Sequence, residues 1–165
     1  MHDLPGPLDV DRLSHEGAEL GFDFDLSRLS ALKTLYPDIH GTVSGQVRFG
    51  REQDLAVARL SLRGGVTLQC QRCMGPLRRE LDVAAAVALV GSEAEGARVP
   101  PQFEPVLAPG GRTSIEQLVS EELLLTLPSV PLHEEGAQVC TAVGPQPAEG
   151  ETHRPFARLA ELVKR

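Results

Sequence analysis

The most regular alternation of apolar and polar positions flanks one short motif. Val66-Thr67-Leu68-Gln69 runs into Cys70-Gln71-Arg72-Cys73, the chain turns at Gly75-Pro76, and a second alternating run follows. On that outgoing arm Leu77, Leu81, Val83, Ala85, Val87 and Leu89 share one face, with Arg79 among them, while Arg78, Glu80 and Asp82 take the other. A period of two predicts strands. The motif is therefore the tip of a hairpin with thiols on it.

The same alternation recurs upstream. Gly41 to Phe49 places Val43, Val47 and Phe49 opposite Ser44, Gln46 and Arg48, and Leu55 to Leu62 reads as its partner across a polar loop at Gly50 to Gln53. Gly64-Gly65 predicts a break or bulge before Val66. These segments give an antiparallel meander of about four strands. Ahead of it, the spacing predicts a short helix within Leu8 to Leu20. Leu20 to Leu26 alternates apolar and acidic residues like an edge strand, and Leu26, Leu29, Leu32 and Leu35 suggest a helical turn or two before Tyr36-Pro37.

The period changes after the meander. Residues 91–112 are rich in Gly, Ser, Glu, Ala and Pro, which predicts a mobile loop with Phe103 to Val106 as its structured island. Ser114 as N-cap with Gln117 three residues on signals a helix to Leu127. Ile115, Leu118, Val119 and Leu123 form its apolar stripe, and Leu123 to Leu127 is apolar enough all round to require burial before Pro128 stops it. Pro128 and Pro131 then hold an extended segment leading to His133. Residues 141–153 read as a linker. In 154–165, Pro155 suits a first helical position and Phe156, Leu159, Ala160 and Val163 fall at helical spacing beside Arg158, Lys164 and Arg165. That helix is too short to persist alone, so it either folds back on the sheet or docks on a partner.

The fold class implied is α+β: one domain over 1–165, an antiparallel meander with a Cys-x-x-Cys hairpin tip, one long helix packed on the sheet and a short C-terminal helix. A chain 41% hydrophobic supports a globular core, and no run approaches the ~20 apolar residues of a membrane span. Three cysteines and no apolar run behind the acidic start point to the cytoplasm rather than a disulfide framework.

In a reducing compartment Cys70 and Cys73 are half of a zinc site, a redox pair, or two unligated thiols in a tight turn. Redox motifs of the thioredoxin kind open a helix, whereas this one sits between strands, which favours metal. Cys70, Cys73, His133 and Cys140 make a complete Cys₃His set, with His153 as a substitute ligand. Six residues separate His133 from Cys140, more than a zinc finger's usual three to five.

The net charge of −7 is unevenly spread. Residues 48 to 79 hold Arg48, Arg51, Arg59, Arg63, Arg72, Arg78 and Arg79 against only Glu52 and Asp54. Arginine outnumbers lysine fourteen to two, and its planar fork suits phosphate. This pattern is either the solvated face of a sheet or a nucleic-acid footprint, for which Arg48, Arg51, Arg63, Arg72, Arg78 and Arg79 are the candidates. Few aromatics accompany them, so phosphate contact is favoured over base stacking.

Four separated motifs, in order, resemble the YceD family, proteins named for large-subunit ribosomal RNA accumulation. They are Leu68 to Cys73 with Pro76, Glu121 to Pro128 with Val130 to His133, the later Cys140, and Arg154 to Ala160. The first forty residues contribute little. The resemblance implies a cytoplasmic ribosome-biogenesis factor, binding metal and nucleic acid, whose partner is large-subunit ribosomal RNA, a pre-ribosomal particle or a ribosomal protein, without membrane or small-molecule substrate. Phe156, Arg158, Leu159, Lys164 and Arg165 are the candidate partner-docking residues. Such proteins often carry an acidic residue where this chain has Ser114, which caps a helix equally well.

The competing class is an enzyme: a thiol oxidoreductase on Cys70 and Cys73, or a metallohydrolase on Glu121 and Glu122 beside His133. Adjacent helical residues point about 100° apart, so the two glutamates do not form one catalytic pair. The expectation is that the chain is not an enzyme. A protein adaptor without RNA contact is the third reading.

Overall fold

A computed structural model describes residues 7–134 and Cys140. The predicted linker, the C-terminal helix with its docking residues, and His153 lie outside the described residues.

The scaffold is a five-stranded sheet in the order β2-β3-β4-β5-β6. Strand β2 (Glu19–Asp25), β3 (His40–Glu52), β4 (Leu55–Gln69) and β5 (Pro76–Val90) form the antiparallel meander that the alternation predicts. A separate pair joins β1 (Leu8–Asp9) to β7 (Arg112–Thr113). Helices α1 (Val10–Glu16) and α2 (Ser30–Leu35) occupy the N-terminal helical stretches. Asp9 caps α1 by accepting from Arg12 N, and Gly17 closes it in the left-handed conformation.

The sequence reading needs five corrections. Glycines 64 and 65 do not break the strand, because β4 is continuous over 15 residues and both glycines pair on both sides. The glycine at 64 is there for close approach: an ideal Cβ would collide with the backbone carbonyl of Thr42 on β3. The polar loop after Phe49 shrinks to a turn at Gln53 and Asp54, both with positive φ, since β3 extends to Glu52. The sheet is mixed rather than purely antiparallel, because β6 (Glu104–Leu107) pairs parallel to the end of β5.

Residues 91–112 are accordingly more than a loop with one island. They form a crossover containing α3 (Glu93–Gly96), β6, a 3₁₀ turn (Pro109–Gly111) and the start of β7. A parallel connection has to cross a face of the sheet. This one seats Phe103 against Val57 and Ala88, a small second core.

The main core lies on the opposite face. Val43, Val47, Phe49, Leu60, Leu62, Val66 and Leu68 of the sheet join α1, α2 and helix α4 (Ile115–Thr126) in one cluster. Ser114 Oγ accepts from Gln117 N at 3.0 Å. Ile115, Leu118, Val119 and Leu123 are buried, but Leu125 is 68% exposed, so the end of the helix is not enclosed all round. Among the described residues, no helix is long and apolar enough to cross a membrane.

Candidate metal centre

Strands β4 and β5 carry the Cys-x-x-Cys away from the main core as a tight knuckle. Cys70 N donates to the Gly75 carbonyl at 2.9 Å, and Met74 N donates to the Cys70 carbonyl at 2.8 Å. Met74 takes φ +60°, the left-handed region. Its side chain faces solvent.

The histidine arrives from the other side of the sequence. Leu127 N closes the last turn of α4 on the Leu123 carbonyl, and Pro128 prevents continuation. The Tyr36 hydroxyl donates to the Pro128 carbonyl at 3.0 Å, and Gln71 N donates to the Pro131 carbonyl at 2.8 Å. Burial pushes the Tyr36 phenol up. The exit from α4 is thus pinned twice before it presents His133.

Four donors meet there. Cys73 Sγ lies 3.5 Å from His133 Nδ1, and Cys70 Sγ lies 3.9 Å from Cys140 Sγ. The ligand atoms of Cys70, Cys73, His133 and Cys140 all fall within 4.8 Å of one another, close enough to hold one metal ion. The long spacing between His133 and Cys140 does not keep their donors apart.

One polar contact invisible in the sequence sets the histidine. Nε2 of His133 is 3.1 Å from the Pro76 carbonyl. A carbonyl only accepts, so Nε2 carries the proton and Nδ1 turns its lone pair toward the thiols. Backbone acceptors have no residue signature, so sequence reasoning missed this contact.

The electrostatics suit a cation. Burial of Cys70 opposes ionisation, but the backbone N–H groups of Cys73, His133 and Arg72, with the Cys73 side chain, outweigh it and lower the thiol to about 5. Cys140 is pushed up by burial, then by its hydrogen bonds and charge interactions with Cys73 and Cys70. Thiolates this close repel, and a divalent ion removes the obstacle to ionising all three.

The candidate arginines scatter around the sheet. Arg48 pairs with Glu19 at 2.7 Å, Arg63 with Asp82 at 3.2 Å, and Arg51 with Asp11 at 3.5 Å. Arg59 pairs with Glu52. Arg72, Arg78 and Arg79 are exposed and, among the described residues, form no ion pair. Arg78 projects from the outer sheet face opposite Thr67, while Arg79 lies opposite Val66 on the other. The free positive charge of the hairpin is therefore near its tip.

Three comparisons bear on this arrangement. Residues 58–163 match the family model described as "Large ribosomal RNA subunit accumulation protein YceD". A Haemophilus influenzae protein carrying that same name is 30% identical over 119 residues, 68% of this chain and 68% of that protein. No solved structure matches.

Proposed function

The chain belongs to the YceD family, and from that premise we propose that it is a ribosome-biogenesis factor promoting accumulation of large-subunit ribosomal RNA. It acts as a binding module: a structural zinc ion ties the hairpin tip to the exit of α4, and the tip's arginines contact RNA. The observation that carries this reading is the convergence of Cys70, Cys73, His133 and Cys140, with the exposed Arg72 between the two hairpin cysteines in sequence.

Zinc fits the donor set. Zn–S bonds of about 2.3 Å in a tetrahedron put two sulfurs about 3.8 Å apart, and a Zn–N bond of about 2.0 Å puts nitrogen and sulfur about 3.5 Å apart. Two of the six separations here are 3.9 and 3.5 Å, and all six lie within 4.8 Å. Zinc supplies charge neutralisation and a cross-link; the protein supplies orientation through the Pro76 carbonyl. Four protein donors leave no open position for substrate or water, which argues for a structural role over hydrolysis.

The RNA contact is through phosphates. Among the described residues Arg72, Arg78 and Arg79 form no ion pair that would have to be displaced, and counterion release makes such binding steeply salt-dependent. The test is co-sedimentation with pre-ribosomal particles on a sucrose gradient. Replacing Arg72, Arg78 and Arg79 together by Glu abolishes association while zinc content and melting temperature stay unchanged; retained association overturns the assignment of the contact.

A further inference from the structure

We infer that Met74 is an apolar wedge that enters between RNA bases while the neighbouring arginines hold the backbone, an inference that rests on the RNA-binding reading above. The starting point is a local conflict. Met74 has φ +60°, a conformation that costs a non-glycine residue stability, and Gly75 beside it does not occupy that region. The knuckle therefore holds methionine where glycine would serve the backbone better. Nothing in the core repays this, because the side chain is 59% exposed.

Among the described residues four large apolar side chains are at least this exposed: Leu35, Met74, Leu125 and Val130. Met74 alone of them has positive φ. It sits in the turn between β4 and β5, fixed by hydrogen bonds of its own N–H to the Cys70 carbonyl and of Gln69 Nε2 to its carbonyl at 3.4 Å. A rigid base under an unbranched, polarizable side chain is the form of a wedge.

The surroundings decide what it enters. A pocket on a protein would favour an apolar collar around the anchor, whereas Met74 is two residues from Arg72 and four from Arg78. Neither guanidinium has an acidic partner among the described residues. Unpaired guanidinium groups close in sequence to an exposed apolar side chain suit phosphates beside an opened base step.

The experiment measures binding of the zinc-loaded full chain to in-vitro-transcribed large-subunit ribosomal RNA across a salt series, using Met74→Gly, Met74→Leu and Arg72→Gln. Met74→Gly weakens affinity at least about fivefold with an unchanged salt slope, and Met74→Leu restores most of it. Arg72→Gln instead flattens the slope by about 1. Zinc content and melting temperature of Met74→Gly stay within about 3 °C of wild type, because glycine suits the backbone. Binding by Met74→Gly equal to wild type overturns the wedge and leaves the RNA reading standing; loss of zinc by that variant overturns it in favour of a structural role. Failure of the wild type to bind this RNA even at low salt overturns both, and a Met74→Gly defect confined to isolated large-subunit ribosomal proteins reassigns the tip to a protein pocket.

Discussion

Removing the proposed zinc is the sharpest perturbation, since its cost follows from how far apart the candidate ligands are in sequence. Cys73 and His133 are 60 residues apart. Cross-linking a loop of that length removes denatured-state entropy worth about 4 kcal/mol. For a domain of this size each kcal/mol shifts the melting temperature by about 2–4 °C, so metal loss lowers it by about 8–16 °C. Hydrogen bonds at Pro76, Pro128 and Pro131 anchor part of the same junction without metal, which places the expected value toward the lower end. The assay is scanning fluorimetry of protein purified without chelator, before and after dialysis against one, under reductant, with elemental analysis of each sample. Near one zinc per chain at the outset, and the stated drop on removal, are the expected results. A melting temperature that moves by less than about 2 °C when the metal is fully removed refutes the strut, and less than about a tenth of an equivalent in fresh reduced protein refutes the zinc.

Leu123 and Leu125 form a matched pair on α4: Leu123→Ala costs about 2–5 kcal/mol, whereas Leu125→Ala, at a site 68% exposed, stays within about 0.5 kcal/mol by urea denaturation. Gly64→Ala costs about 1–3 kcal/mol or more by the same measurement, because its Cβ meets the Thr42 carbonyl rather than a yielding side chain. Burial and the nearby Glu104 hold the Glu122 carboxyl above the usual range, so the folded state binds its proton more tightly than the unfolded chain. Its penalty is present above the folded pKa and fades as pH falls toward the unfolded value. Glu122→Gln therefore raises the melting temperature at pH 7.5 but not at pH 4, and equal effects at both would sink this account. Truncation after Glu151 leaves the melting temperature in place and weakens particle association if the C-terminal stripe docks on a partner; a large loss of stability assigns it to the core.

Signals that depend on residue type were legible in the sequence. Thiols and an imidazole announce themselves as donors, Ser114 announces a cap, and alternation announces the meander. What escaped was whatever depends on long-range register. The pairing of Arg48 with Glu19 requires β2 to align with β3, and nothing local in either segment states that alignment. The glycine at 64 looked like a break because glycine ordinarily weakens a strand, while its actual cause, the approach of Thr42, is two strand-lengths away in sequence. Strand β6 is four residues long and contains Pro105, too short for periodicity to mark it or give its direction.

Ion pairing changes what the arginine-rich segment means. Read as a row, seven arginines suggest a basic sheet face. Folded, Arg48, Arg59 and Arg63 share the outer face with Glu19, Glu52 and Asp82 and are paired there. Exposed pairs of this kind add little stability, about 0–1 kcal/mol each, but they cancel charge locally. In a chain of net charge −7 that pairing leaves little free positive charge on the outer face. Near the knuckle Arg72, Arg78 and Arg79 form no ion pair among the described residues. In the proposed contact with RNA such a distribution favours approach tip first, so the rigidity of that tip matters. The proposed zinc on Cys70, Cys73, His133 and Cys140 would supply that rigidity.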